Sequence, residues 1–170
     1  MKNTKYIIFE WILPILIALV AAYLIRTFAA FTFNVPTTSM YPIIDAGDFG
    51  IATRIYNVNN LKRGDVVVFD SEELDMVLVK RLIGLSGDKI DIEENGDVYV
   101  NGERLQEDYV ENKGGSIGEY QVPEGCFFFM GDNRRYSNDA RDWNNKYING
   151  KFIRGKAQYI LFPFNRITKL

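Results

Sequence analysis

From Tyr6 to Ile25 every position but Glu10 is apolar, aromatic or proline. As a helix, such a run is about as long as the ~30 Å hydrocarbon core of a bilayer. Its uninterrupted part, Trp11 to Ile25, is fifteen residues, so a buried core helix and a cleaved export signal stand beside a membrane anchor. No clean small-residue cleavage pattern follows, because Arg26-Thr27-Phe28 stands at the exit and an aromatic run, Phe28 to Phe33, comes next. Trp11 and Tyr23 sit near the two ends, as interfacial residues do, and Pro14 falls early enough to be tolerated. These features predict an uncleaved transmembrane anchor over residues 1–27 and a separate domain over 28–170. Lys2, Lys5 and the amino terminus precede the segment and only Arg26 follows it closely. That bias predicts a cytoplasmic amino terminus and an extracytoplasmic domain.

Beyond the anchor the apolar pattern changes to period two and short runs. Phe49–Ala52, Val66–Phe69, Met76–Ile83, Lys89–Ile92, Val98–Val100, Cys126–Met130 and Tyr159–Phe162 read as strands. Turn residues punctuate them: Lys62-Arg63-Gly64-Asp65, Asn95-Gly96-Asp97 and Asn101-Gly102, the last two with the chemistry of tight hairpins. Lys113-Gly114-Gly115-Ser116 reads as a flexible loop. The expected class is all-β, a compact antiparallel assembly of small sheets behind one helix. A binding module would share that pattern, so fold class leaves function open.

The chain has no histidine. Ser-His-Asp triads, Cys-His dyads, His-ligated zinc and histidine acid catalysis are therefore excluded. The single cysteine, Cys126, stands in the run Cys126-Phe127-Phe128-Phe129-Met130 and reads as an inert core residue of a buried strand. A net charge of -2 with scattered basic residues leaves no nucleic-acid footprint.

Two places break the β pattern. In Asn34-Val35-Pro36-Thr37-Thr38-Ser39-Met40-Tyr41-Pro42, two prolines bracket three hydroxyl residues. A polar linker would look similar, but the prolines restrict the backbone and Met40-Tyr41 suit a packed segment. In Met76-Val77-Leu78-Val79-Lys80-Arg81-Leu82-Ile83 a cation lies in an apolar row whichever face is inward. An edge strand with Lys and Arg heads in water is one account. The other is a buried lysine. At a pKa of about 10.4 only on the order of one lysine in 2,500 is neutral at pH 7, whereas at about 8 roughly one in ten is. A neutral amine beside a serine hydroxyl can take its proton, which activates serine without histidine.

These residues resemble a family. Ser39-Met40-Tyr41-Pro42 is similar to the Ser-Met-x-Pro box of bacterial type I signal peptidases, and Arg63-Gly64-Asp65-Val66-Val67-Val68-Phe69 to their Arg-Gly-Asp strand box. Val79-Lys80-Arg81-Leu82-Ile83-Gly84-Leu85-Ser86-Gly87-Asp88 resembles their Lys-Arg-x-x-Gly-x-x-Gly-Asp box, and Gly131-Asp132-Asn133-Arg134-Arg135-Tyr136-Ser137-Asn138-Asp139-Ala140-Arg141 their Gly-Asp-Asn box. The four occur in family order behind an amino-terminal anchor. Together they resemble the Gram-positive branch, with one membrane pass and a short catalytic domain.

The resemblance implies the all-β Ser-Lys peptidase fold and cleavage of signal peptides from secretory preproteins. By the same resemblance Ser39 is the nucleophile and Lys80 the general base. Thr37 joins the Ser39 N–H in the oxyanion hole, and Ser137 orients the lysine. Asp139 and Arg141 form a supporting ion pair, and Arg81 follows the base. No metal or organic cofactor is implied. The implied partners are signal peptides and the lipid bilayer, close to the protein-export channel, with no nucleic acid. Ile43, Ser86 and Ala140 depart from the usual threonine, proline and serine, which bears on local packing rather than on the reaction. Two other readings remain at this point: a self-cleaving Ser-Lys regulator of the LexA type, and an anchored β-domain that binds partners without chemistry.

Overall fold

The computed structural model describes residues 8–170. Lys2, Lys5 and the start of the apolar segment at Tyr6 lie outside the described residues. The chain divides into two compact units, one ending at Phe31 and one spanning Thr32–Leu170. In the first, a helix spans Phe9–Ala29, long and apolar enough to cross a membrane, with none of it buried within the protein. Its centre, α1 (Leu13–Leu24), lies between wider π-type turns at Ile8–Ile12 and Ile25–Ala29. Pro14 is the second residue of α1, at its junction with the wider turn Ile8–Ile12.

Twelve strands follow: β1 (Ala30–Asn34), β2 (Phe49–Arg54), β3 (Val66–Ser71), β4 (Met76–Gly84), β5 (Lys89–Ile92), β6 (Val98–Val100), β7 (Glu103–Arg104), β8 (Gly118–Gln121), β9 (Cys126–Met130), β10 (Ile148–Asn149), β11 (Ile153–Phe162) and β12 (Thr168–Lys169). The larger sheet has the order β1-β2-β11-β3-β4-β9-β10, with β12 also on β11; the smaller has the order β7-β6-β5-β8. The pairings from β2 through β10 and those of the small sheet are antiparallel. All seven strands expected from the sequence are present, and the fold is all-β. The β6–β7 turn has Asn101 and Gly102 both at positive φ, 54° and 84°, as an Asn-Gly hairpin turn requires.

One apolar core joins the sheets. Val67, Phe69, Leu82 and Phe129 enter it from the large sheet, and Ile90 and Val98 from the small one. Phe69 stacks on Phe129 at 4.3 Å between ring centres and meets Trp143 edge-on at 6.3 Å. Cys126, at the start of β9, is only half-buried and packs against this core.

β11 begins six residues before the expected Tyr159. Its inner face there is Ile153, Gly155 and Ala157, with Arg154, Lys156 and Gln158 opposite. Two residues with little or no side chain conceal the period-two pattern. Residues 113–116, expected to be flexible, are instead tied down. Lys113 Nζ donates to Asp97 at 2.9 Å, Arg141 Nη1 donates to the Gly114 carbonyl at 2.9 Å, and Ser116 Oγ donates to Asp142. Gly115 serves close approach: a Cβ there would overlap the Arg141 guanidinium.

Candidate active site

β4 is an open edge at its start and covered at its end: β3 pairs with Met76–Arg81, while β9 pairs on the other side at Arg81, Leu82 and Gly84. Lys80 and Arg81 are 3% and 7% exposed, so both cations are buried rather than held in water, although Met76 and Val77 at the start of the strand are exposed. Arg81 is neutralised by Asp132, with Nε donating to Oδ1 at 2.7 Å, and its guanidinium lies 3.9 Å from the centre of the Tyr109 ring.

The Lys80 amine donates to Ser137 Oγ at 3.0 Å. Its pKa falls from 10.5 to about 8, chiefly because burial penalises the cation; Asp139 opposes the fall, Arg141 adds to it and Asp132 also opposes it. Asp139 and Arg141 form a buried bidentate pair, Nε to Oδ1 at 2.8 Å and Nη2 to Oδ2 at 2.9 Å. Asp139 also accepts the Gly131 N–H at 2.9 Å. The pair therefore supports the loop on which Ser137 stands.

Ser39 lies just after the Pro36-Thr37-Thr38 segment, and Met40 behind it is 1% exposed. The Asn133 N–H donates to the Ser39 carbonyl and its Nδ2 to the Thr38 carbonyl, both at 3.1 Å. Gly131 has no side chain because none fits: a Cβ would overlap both Ser137 Oγ and the Ser39 carbonyl oxygen. Thr37 Oγ1 is 3.3 Å from Ser39 Oγ. Among the described residues, the Ser39 N–H has no acceptor and no hydrogen bond joins Ser39 to Lys80. Ser39, Thr37 and Lys80 line one cleft of about 300 Å³, walled by Leu74, Met76 and Leu78. A more open depression of about 550 Å³ lies beside Asp91 and Glu119, away from these groups.

The fold thus brings together all seven residues singled out in the sequence, Arg81 through its contacts to the Gly-Asp-Asn loop rather than in the cleft. Motif reading gave no role to Gly131, Asp132, Asn133 or Arg134, which organise that loop. Arg134, 1% exposed, donates from Nη1 to Glu107 at 2.8 Å and from Nε to the Gly131 carbonyl at 3.0 Å. Glu107 lies in a stretch without any local signal. Of the departures, Ser86 Oγ accepts the Gly125 N–H at 2.8 Å and Ala140 is fully buried, so both are absorbed by packing.

A hydroxyl, a buried amine of lowered pKa and an unpaired N–H around one apolar cleft can carry out acyl transfer. Residues 8–162 match the family described as "Signal peptidase, peptidase S26". The chain is 38% identical to a signal peptidase I of Bacillus licheniformis, over 98% of this chain and 95% of that protein. It is 34% identical to signal peptidase I T of Bacillus subtilis (strain 168), over 99% and 91%. A solved signal peptidase I from Enterococcus faecalis V583 is 28% identical, with a TM-score of 0.48, covering 57% of this chain and 96% of that one. The chain belongs to the signal peptidase family, peptidase S26. It is accordingly a serine endopeptidase with a membrane anchor, and the regulator and binding-module readings are set aside.

Proposed function

We propose that this protein cuts signal peptides from secreted preproteins with Ser39 as nucleophile and Lys80 as general base. The observation that carries the reading is the Lys80 amine: buried, lowered to about pH 8, and lining the same cleft as Ser39. Among the described residues, Met76–Lys80 have β3 on one side and no strand on the other, where the cleft lies. An extended substrate adds itself along that edge. As it binds, the Ser39 hydroxyl turns from Thr37 to the amine. Oγ bonds to the scissile carbonyl carbon while its proton passes to Lys80 Nζ. The oxyanion is held by the Ser39 N–H and the Thr37 hydroxyl. The C–N bond then breaks, and the Lys80 proton leaves with the amine of the mature chain. A water molecule, deprotonated by the same amine, hydrolyses the acyl-enzyme; the proton returns to Ser39 as the signal peptide departs. Ser137 keeps the amine aimed throughout, on a loop braced by Asp139 and Arg141.

The amino terminus lies in the cytoplasm, and residues 28–170 lie outside it, at the bilayer surface near the export channel. The modest excess of positive charge before the anchor supports that orientation. Ser39→Ala and Lys80→Ala are expected to abolish cleavage of a preprotein in detergent while the protein stays folded. Lys80→Arg should be equally inactive, because a guanidinium does not deprotonate in proteins. Retention by Lys80→Ala of more than a few per cent of wild-type turnover would remove the lysine from the mechanism.

A further inference from the structure

The β3–β4 hairpin carries Asp70, Glu72, Glu73 and Asp75 close together. Asp70 is held by Arg154, at 2.8 and 2.6 Å. Glu73 instead makes a clasp. Its Oε1 accepts the backbone N–H and the side-chain Nδ2 of Asn144, each at 3.1 Å, and its Oε2 accepts the Asn145 N–H at 2.7 Å. The Asn145 and Asn144 N–H groups hold the carboxyl below its usual range.

An exposed ion pair between two long side chains contributes little, because both must be ordered and water screens them. Here two of the three donors are backbone N–H groups already fixed in place, so only one long side chain is ordered. The loop that supplies them begins just after Arg141. The next residue along the hairpin is Leu74, which lines the cleft with Met76 and Val77, opposite the Pro36-Thr37 segment. The Leu74 N–H donates to Ser71 Oγ at 3.3 Å, and Asp75 turns the chain at a φ of 49°. Ser71 thus fixes the hairpin tip from within, and Glu73 fixes it against the rest of the domain.

We infer that Glu73 is a positioning residue for substrate binding: its clasp on Asn144 and Asn145 holds Leu74 and Met76 as the wall of the cleft. The inference rests on the cleft being the substrate site. Glu73 touches neither Ser39 nor Lys80, so its loss acts on KM and spares kcat.

The test uses the full chain in detergent and one preprotein. Glu73→Ala is expected to raise KM about five- to tenfold, the size of one ordinary hydrogen bond lost at an exposed site, with kcat within about twofold of wild type. Asn144→Ala removes one donor and leaves the backbone, so it should raise KM less. Combined with Glu73→Ala it should add nothing, since its effect passes through the missing carboxylate. Melting temperatures of all variants establish that each is folded at the assay temperature. An unchanged KM, a fall in kcat at constant KM, or additive effects in the double variant would each overturn the inference. Activity surviving in Ser39→Ala would instead discard the cleft assignment itself, which separates the two failures.

Discussion

Lys80→Met keeps the length and apolar stem of the side chain and deletes its ammonium. In the wild type at pH 7 that ammonium is mostly protonated in a site 3% exposed, with Ser137 its one hydrogen-bond partner among the described residues. Lowering the pKa from 10.5 to about 8 corresponds to about 3 kcal/mol of lost stability, at ~1.4 kcal/mol per pH unit. Methionine removes that cost but leaves the Ser137 hydroxyl without its donor, a loss of about 1 kcal/mol. The net gain is about 2 kcal/mol, or a rise in melting temperature of ~4–8 °C for a protein of this size. The sign reverses nothing at higher pH but shrinks the difference. Between pH 8 and 10.5 the unfolded chain still holds a proton that folded Lys80 has released, so wild-type stability climbs through that window. That of Lys80→Met gains nothing from this site. The same titration governs activity. Wild-type kcat/KM should rise about tenfold per pH unit up to pH 8 and then level off, because the neutral amine is the working form. Thermal unfolding in detergent at pH 7 and pH 9.5, with preprotein cleavage across the same range, makes the comparison. A Lys80→Met protein that melts at or below the wild type at pH 7, with the same pH slope, would refute a desolvated lysine.

Thr37→Val should lose on the order of 10²-fold in kcat with KM little changed, as when one oxyanion donor is removed, while Thr37→Ser stays close to wild type. Full activity in Thr37→Val would mean that another group completes the hole. Gly131→Ala places a methyl group on the Ser137 hydroxyl and the Ser39 carbonyl; cleavage should be lost and the melting temperature should fall by about 2–12 °C, and normal turnover would contradict the geometry. For orientation, Glu94→Cys in a Cys126→Ser background puts one thiol on the exposed β5–β6 turn. A membrane-impermeant maleimide should label it in intact cells; labelling only after lysis would place the domain in the cytoplasm.

Much of the molecule was legible in residue order, because the physics there is local. A twenty-residue apolar run, alternation in the strands and Asn-Gly at the β6–β7 turn each act within a few neighbours. The absence of histidine restricts the chemistry whatever the fold. β11 before Tyr159 escaped notice, since glycine and alanine on an inner face carry no hydropathic signal; β1, within the aromatic run, and β7, β8, β10 and β12 were not read as strands either. The state of Lys80 was decided by tertiary structure alone. Its strand has apolar neighbours on both faces, and the sequence allows an edge with its cations in water as readily as a buried row. Burial depends on what covers each side of β4, and that cover comes from β3, β9 and the loop bearing Ser137, 57 residues away. The same holds for Asn133 gripping the Thr38 carbonyl across 95 residues, and for Glu73 reaching Asn144 across 71. Desolvation and hydrogen-bond geometry sum over neighbours from distant parts of the chain, and only the folded arrangement determines which neighbours those are.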